Sequence, residues 1–144
     1  MRTPQEIFAS VPINRYLAST LERCDADGAV VSLAPRPEYL QEGNVVQGGI
    51  VSALADTAAA YSLMSTLPQA STMTGVEFKI NFLRGATLAG GELRATGRVV
   101  RRGRSLAVCE VSVTQGDAEV ALALFTFLYL PRAARPGLLD PVPA

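Results

Sequence analysis

The sequence predicts an α+β domain in which an antiparallel sheet wraps around one long central helix, and three observations carry that prediction. Residues 48–66 are a Pro-free stretch rich in Ala, Leu and Ser, nineteen residues long, which is helical in composition and length. Segments between residues 76 and 130 carry strand-like apolar patterning and are separated by turns that contain glycine. The chain has 144 residues, enough for one hydrophobic core and not for two.

Taken in order, residues 3–18 read as a short amphipathic helix with Ile7, Phe8 and Val11 on its apolar side. Thr3 is placed to cap it, Pro4 fits its first position, and Glu6 completes the capping-box spacing. Leu17 to Leu33 then reads as a hairpin around an Asp27-Gly28 turn. After a loop, Gly48 to Thr66 forms the long helix, about 28 Å at 1.5 Å per residue. It is nearly uncharged all round and is expected to be buried.

Val76, Phe78, Ile80 and Phe82 alternate with Glu77, Lys79 and Asn81, which predicts a half-buried strand. Two further strands flank a turn at Arg101–Arg104, and a second turn at Gln115–Asp117 leads into residues 118–130. That last segment is apolar on both faces and is expected to be central in its sheet. Residues 1–131 are thus expected to form one domain, with 1–18 as an N-terminal helical segment and 132–144 as a Pro-rich tail.

Composition narrows the chemistry. Hydrophobic residues make up 49% and charged residues 18%, a globular balance. Thirteen Lys/Arg offset thirteen Asp/Glu, so the basic footprint expected of a nucleic-acid binder is absent. There is no histidine, which removes imidazole general bases, Ser-His-Asp and Cys-His arrangements and His-ligated zinc. Cys24 and Cys109 are too few for a disulfide scaffold and read as reduced thiols of a cytoplasmic protein. No signal peptide is apparent, and Val120–Leu130 is too short to cross a bilayer. No metal, cofactor or membrane partner is expected.

One residue stands out. Between Glu42 and Glu77 lie thirty-four residues, and Asp56 is the only charged one among them. A carboxylate in an apolar interior is costly unless paired, and no Lys or Arg lies within a helical turn of it. Small residues, Gly49, Ser52, Ala53, Ala59 and Ala60, share its side of the helix, together with Leu63, whereas Ile50, Leu54 and Tyr61 lie opposite. Two readings follow: a carboxylate with room for a ligand, or a core acid satisfied by Ser/Thr hydroxyls or a partner chain.

Gly48-Gly49 opens the same helix. Its unpaired N–H groups suit a developing oxyanion, although a tight turn alone would also call for glycine. Gly48 and Asp56 are eight residues apart, about 12 Å along the axis, so one carbonyl cannot meet both on a single helix. If they act together they come from two chains, with antiparallel helices crossing near Ser52-Ala53 in a two-fold dimer.

The stretches GNVVQGGIVSALADTAAAY, GVEFKINFLRGA and RVVRRGRSLAVCEVSV resemble the hotdog-fold acyl-CoA thioesterases, most closely the group typified by the phenylacetic-acid-degradation thioesterases. The resemblance spans roughly residues 9–131. It implies that Gly48 supplies an oxyanion-hole N–H and that Asp56 is the catalytic carboxylate, acting as nucleophile or general base across a dimer interface. Gln47 stands where relatives usually carry His, an amide that hydrogen-bonds without titrating. Gln41 matches a polar position of the family. A hydroxyl that places water in relatives corresponds to Thr74, with Gly75 competing for the match.

The implied reaction is hydrolysis of an acyl-CoA thioester of small or medium, aromatic or aliphatic acyl group. Gly49 joins Gly48 at the binding tip. Arg84, Arg101, Arg102 and Arg104 are candidates for the CoA phosphates, or else simply solvated cations. Met64, Leu67, Pro68 and Phe82 are candidates for the acyl pocket. A homodimer is expected, with a homotetramer open. The alternatives are an acyl-CoA-binding sensor without catalysis, or a dehydratase of acyl thioesters, for which the missing His is a difficulty.

Overall fold

A computed structural model describes residues 2–68 and 71–131. The expected Pro-rich tail at 132–144 lies outside the described residues. The elements run α1 (Pro4–Ser10), α2 (Pro12–Leu17), β1 (Thr20–Asp25), β2 (Gly28–Leu33), α3 (Gly48–Met64), β3 (Ser71–Phe82), β4 (Leu93–Arg102), β5 (Leu106–Gln115) and β6 (Ala118–Pro131). The strands form one antiparallel six-stranded sheet in the order β1-β2-β4-β5-β6-β3, with α3 packed on one face, as the α+β reading requires.

The N-terminal segment is two helices rather than one. Pro12 lacks the N–H a continuous helix needs and holds Val11 extended at φ −76° and ψ 124°, so the chain stops and restarts. The capping box at Thr3 and Glu6 is present in both directions, with bonds of 3.2 and 2.7 Å. Phe8 is buried edge-on against Tyr61, ring centroids 5.1 Å apart, which docks this segment on the far half of α3.

The first hairpin turns one residue earlier than expected, at Ala26-Asp27, because Asp25 pairs with Gly28. Gly28 itself has φ +133°, and a Cβ there would stand 2.1 Å from the Gly97 carbonyl oxygen. Arg101 and Arg102 belong to β4, leaving 103–105 as the turn. β6 is paired on both sides, as expected of an inner strand, yet Leu122 and Leu124 on its outer face are exposed.

Two expectations about burial fail for a common reason. α3 packs chiefly on β2, β4 and β5 and scarcely on β6 and β3. Its bulky side, with Val51, Leu54 and Tyr61, is buried in the core, but on the small side Gly49 and Asp56 are exposed while Leu63, further along, is buried. The helix is therefore not buried all round. β3, at the sheet edge, is not half-buried either: Val76, Phe78 and Phe82 are 57%, 51% and 53% exposed. The strand also carries a bulge between Gly75 and Glu77. No helix among the described residues is long and apolar enough to cross a membrane.

Because Leu54 is only 2% exposed, Leu54→Ala should cost about 2–5 kcal/mol of unfolding free energy by urea titration. Tyr16→Ala, at a side chain 73% exposed, should stay within about 0.5 kcal/mol of the parent.

Candidate active site

The tip of α3 is set by the loop before it. The Gln47 N–H donates to the Tyr39 carbonyl at 2.8 Å, and the Val46 N–H donates to the Ala86 carbonyl at 2.8 Å. Tyr39 is itself fixed: its hydroxyl donates to the Leu17 carbonyl at 2.9 Å, and the Arg36 guanidinium lies 4.7 Å from its ring centroid. The start of α3 is thereby tied both to the N-terminal helices and to the segment following β3.

Gln47 is the N-cap of α3, and its Oε1 accepts from the Ile50 N–H at 3.2 Å. That bond orients the side-chain amide and leaves its NH2 as the unused end. Both glycines are explained by close approach. A Cβ on Gly49 would stand 2.5 Å from Gln47 Oε1, and one on Gly48 would stand 3.0–3.4 Å from the Phe82 ring. The Gly48 and Gly49 N–H groups find no acceptor among the described residues, as first-turn amides generally do not.

Around this tip lies a cleft of about 740 Å³. Gln41, Gln47, Gly48 and Arg84 supply its polar lining, and Ile80, Phe82, Leu83 and Val120 part of its apolar lining. A second cleft of about 600 Å³ opens at Asp56, between Ser52 and Ala53 on α3 and Gly75 to Phe78 on β3. The two clefts share Gly49, Ser52 and Phe78. Phe78 stacks on Phe125 at 5.0 Å and forms their common floor.

Asp56 has no hydrogen-bond or ion-pair partner among the described residues. The neighbouring hydroxyls serve the helix instead: Ser52 donates to the Gly48 carbonyl at 2.8 Å and Thr57 to the Ala53 carbonyl at 2.9 Å. A satisfied core acid is thus not what the fold builds. Water reaches the side chain, yet the surrounding protein desolvates it enough to push its pKa above the ordinary aspartate value of 3.8.

The structure thus brings Gln41, Gln47, Gly48, Gly49 and Arg84 to one cleft and leaves Asp56 in the next. Thr74 lines neither; it pairs with Leu128 on the sheet face away from α3, and Gly75 is the neighbour that reaches the Asp56 cleft. Arg101, Arg102 and Arg104 lie at the other end of the molecule, where Arg102 donates to the Thr66 carbonyl just beyond α3. Met64, Leu67 and Pro68 also fall at that end, so of the expected acyl-pocket residues Phe82 alone lines either of these two clefts. Ser52 lines both clefts, as its place beside Asp56 on the helix suggests, whereas Phe78 and the bulge at Val76 were missed. Strand alternation put Phe78 on the inner face, but nothing local said that this part of the face lies uncovered.

A family profile described as Thioesterase superfamily matches residues 43–122, more than half of the chain. A Saccharolobus solfataricus protein named as a candidate esterase is 26% identical over 129 residues, 89% of this chain and 90% of that one. Among solved structures, the PaaI protein from the phenylacetic acid degradation operon of E. coli is 25% identical with a TM-score of 0.78, covering 86% of this chain and 88% of its own. AziG of S. sahachiroi is 28% identical with a TM-score of 0.80, covering 84% and 98%. With its six-stranded antiparallel sheet and single long helix, the chain belongs to the Thioesterase superfamily and has the hotdog fold of its PaaI-like members.

Proposed function

We propose that this protein hydrolyses acyl-CoA thioesters at two equivalent sites, each assembled from two copies of the chain. The observation that carries the reading is Asp56: a desolvated carboxylate with no partner among the described residues, on the small-residue side of α3, about 12 Å from the free amides at the helix tip. Within one chain the halves cannot meet on one carbonyl. Between two chains they can.

The edge strand supports such a pair. Among the described residues β3 is paired only with β6, which leaves its other edge open to a second strand, and the exposed Val76, Phe78 and Phe82 stand beside it. Phe82 lies against Gly48, whereas Val76 and Phe78 flank Asp56. An antiparallel β3–β3 pairing centred near Lys79 sets Phe82 opposite the partner's Val76, and hence Gly48 beside the partner's Asp56. The same symmetry brings the partner's Arg101–Arg104 turn towards the Gly48 end of this chain, where Arg84 already lines the cleft.

In this arrangement the thioester oxygen accepts from the Gly48 N–H, with the free NH2 of Gln47 and the Gln41 side chain alongside. These fixed donors stabilise the charge that develops on the oxygen as the carbonyl becomes tetrahedral. The partner's Asp56 either takes a proton from the attacking water or attacks the carbonyl carbon itself, giving a mixed anhydride that water then opens. In both cases water is consumed, the C–S bond breaks, and the free acid and CoA thiol are released. Gly49 keeps the approach to the tip free of side chain.

Asp56→Ala should lower kcat by about 10²–10⁴-fold with little change in KM, measured by thiol release from an acyl-CoA panel. Asp56 acts ionised and its pKa is raised, so wild-type activity should fall on the acid side at a pH above 3.8. A rate flat down to about pH 4 would rule out an essential carboxylate of raised pKa. Acyl-CoA binding without turnover in the wild type would replace hydrolysis by sensing.

Shared sites make a sharper expectation. Asp56→Ala and Gly48→Val should each be inactive alone, but their subunits mixed through a denature–renature cycle should recover about a quarter of wild-type activity, because each heterodimer rebuilds one intact site. No recovery, with heterodimers confirmed by mass spectrometry, would place the whole site within one chain. For the cations, Arg84→Ala and Arg101→Ala should each raise KM for acyl-CoA several-fold more than for the matching acyl-pantetheine. Equal rises would show that they do not hold phosphate.

A further inference from the structure

We infer that Phe82 sets the length of acyl chain this protein accepts, an inference that rests on the hydrolase reading above. The ring lies directly on the backbone of Gly48, its nearest atoms 3.0, 3.3 and 3.4 Å from where a Cβ would stand. It therefore occupies the space next to the amide assigned to the thioester oxygen. A carbonyl bound to that amide holds its own substituents within van der Waals reach of the ring.

The cleft itself says which substituent that is. Ile80, Leu83 and Val120 continue the apolar wall from Phe82, whereas Gln41, Gln47 and Arg84 make the polar wall. The pantetheine arm carries amides and leads to charged phosphates, which suit the polar side; a hydrocarbon acyl chain suits the other. Phe82 closes the apolar side at its nearest point to the reacting carbon. It contributes little to the core of its own chain, being 53% exposed, so replacing it should leave the chain folded and bear on the cleft and on the proposed β3–β3 seam beside it. Phe78 is differently placed: stacked on Phe125, it is part of the floor.

A side chain that ends a hydrocarbon pocket discriminates by volume, with one methylene typically worth about 10–200-fold in kcat/KM. Phe82→Ala should therefore raise the ratio of kcat/KM for dodecanoyl-CoA over butyryl-CoA by about tenfold or more, and Phe82→Trp should lower it. Phe82→Leu should fall between wild type and Phe82→Ala; it keeps an apolar side chain on β3 and supplies the comparison should Phe82→Ala fail to dimerise. Melting temperature and sedimentation of each variant report folding and assembly separately from selectivity. A uniform loss across all chain lengths, with wild type active, overturns the role of Phe82 alone. A wild type that turns over none of the esters overturns the hydrolase reading, and this inference with it.

Discussion

The unequal distribution of side-chain size around α3 governs the rest of the molecule. Val51, Leu54 and Tyr61 anchor one side in the sheet, while Gly49, Ser52, Ala53 and Asp56 occupy the other. The helix thus settles over β2, β4 and β5 and leaves much of the inner face of the edge strand β3 open. Aromatic surface on Phe78 and Phe82 is left facing water, an unfavourable arrangement that a bound ligand or a second copy would relieve. One asymmetry of the helix thereby gives the clefts their room, their apolar walls and their carboxylate.

The electrostatics of the site are correspondingly simple. Asp56 faces an open cleft with no cation paired to it among the described residues, and nearby hydroxyls are committed to helix carbonyls. Desolvation alone moves its pKa, upward, which makes it a better proton acceptor than an ordinary surface aspartate. In the cleft at the tip of α3 the polar lining is backbone amides, two glutamine side chains and Arg84, and neither the amides nor the glutamines titrate. With no histidine in the chain, the acid limb of any rate profile belongs to a carboxylate.

Precision at the helix tip comes from outside the helix. Tyr39 receives the Gln47 N–H and holds the Leu17 carbonyl, and Ala86 receives the Val46 N–H. In the proposed hydrolysis, donors fixed before the substrate arrives would need no reorganisation during reaction. The N-terminal helices, which contribute no residue to the Gly48 cleft, therefore still bear on its geometry through Tyr39.

Much of this was legible locally. The long helix, its Gly-Gly start, the capping box at Thr3 and the strand run from residue 93 onward depend on side-chain periodicity and turn chemistry, which operate over a few residues. Asp56 was identifiable as an isolated charge in thirty-four residues, and its spacing from Gly48 required two chains to act on one carbonyl. The break at Val11 was also written locally, in Pro12, and was overlooked. What the linear chain did not contain was coverage. That β3 lies at the edge, that α3 leaves its inner face bare, that Asp56 meets solvent, and that Arg84 joins the Gly48 cleft while Arg101, Arg102 and Arg104 stand at the far end all follow from strand order. Strand order is decided by pairing between segments tens of residues apart, and burial is a property of what lies across the sheet rather than of the residue itself.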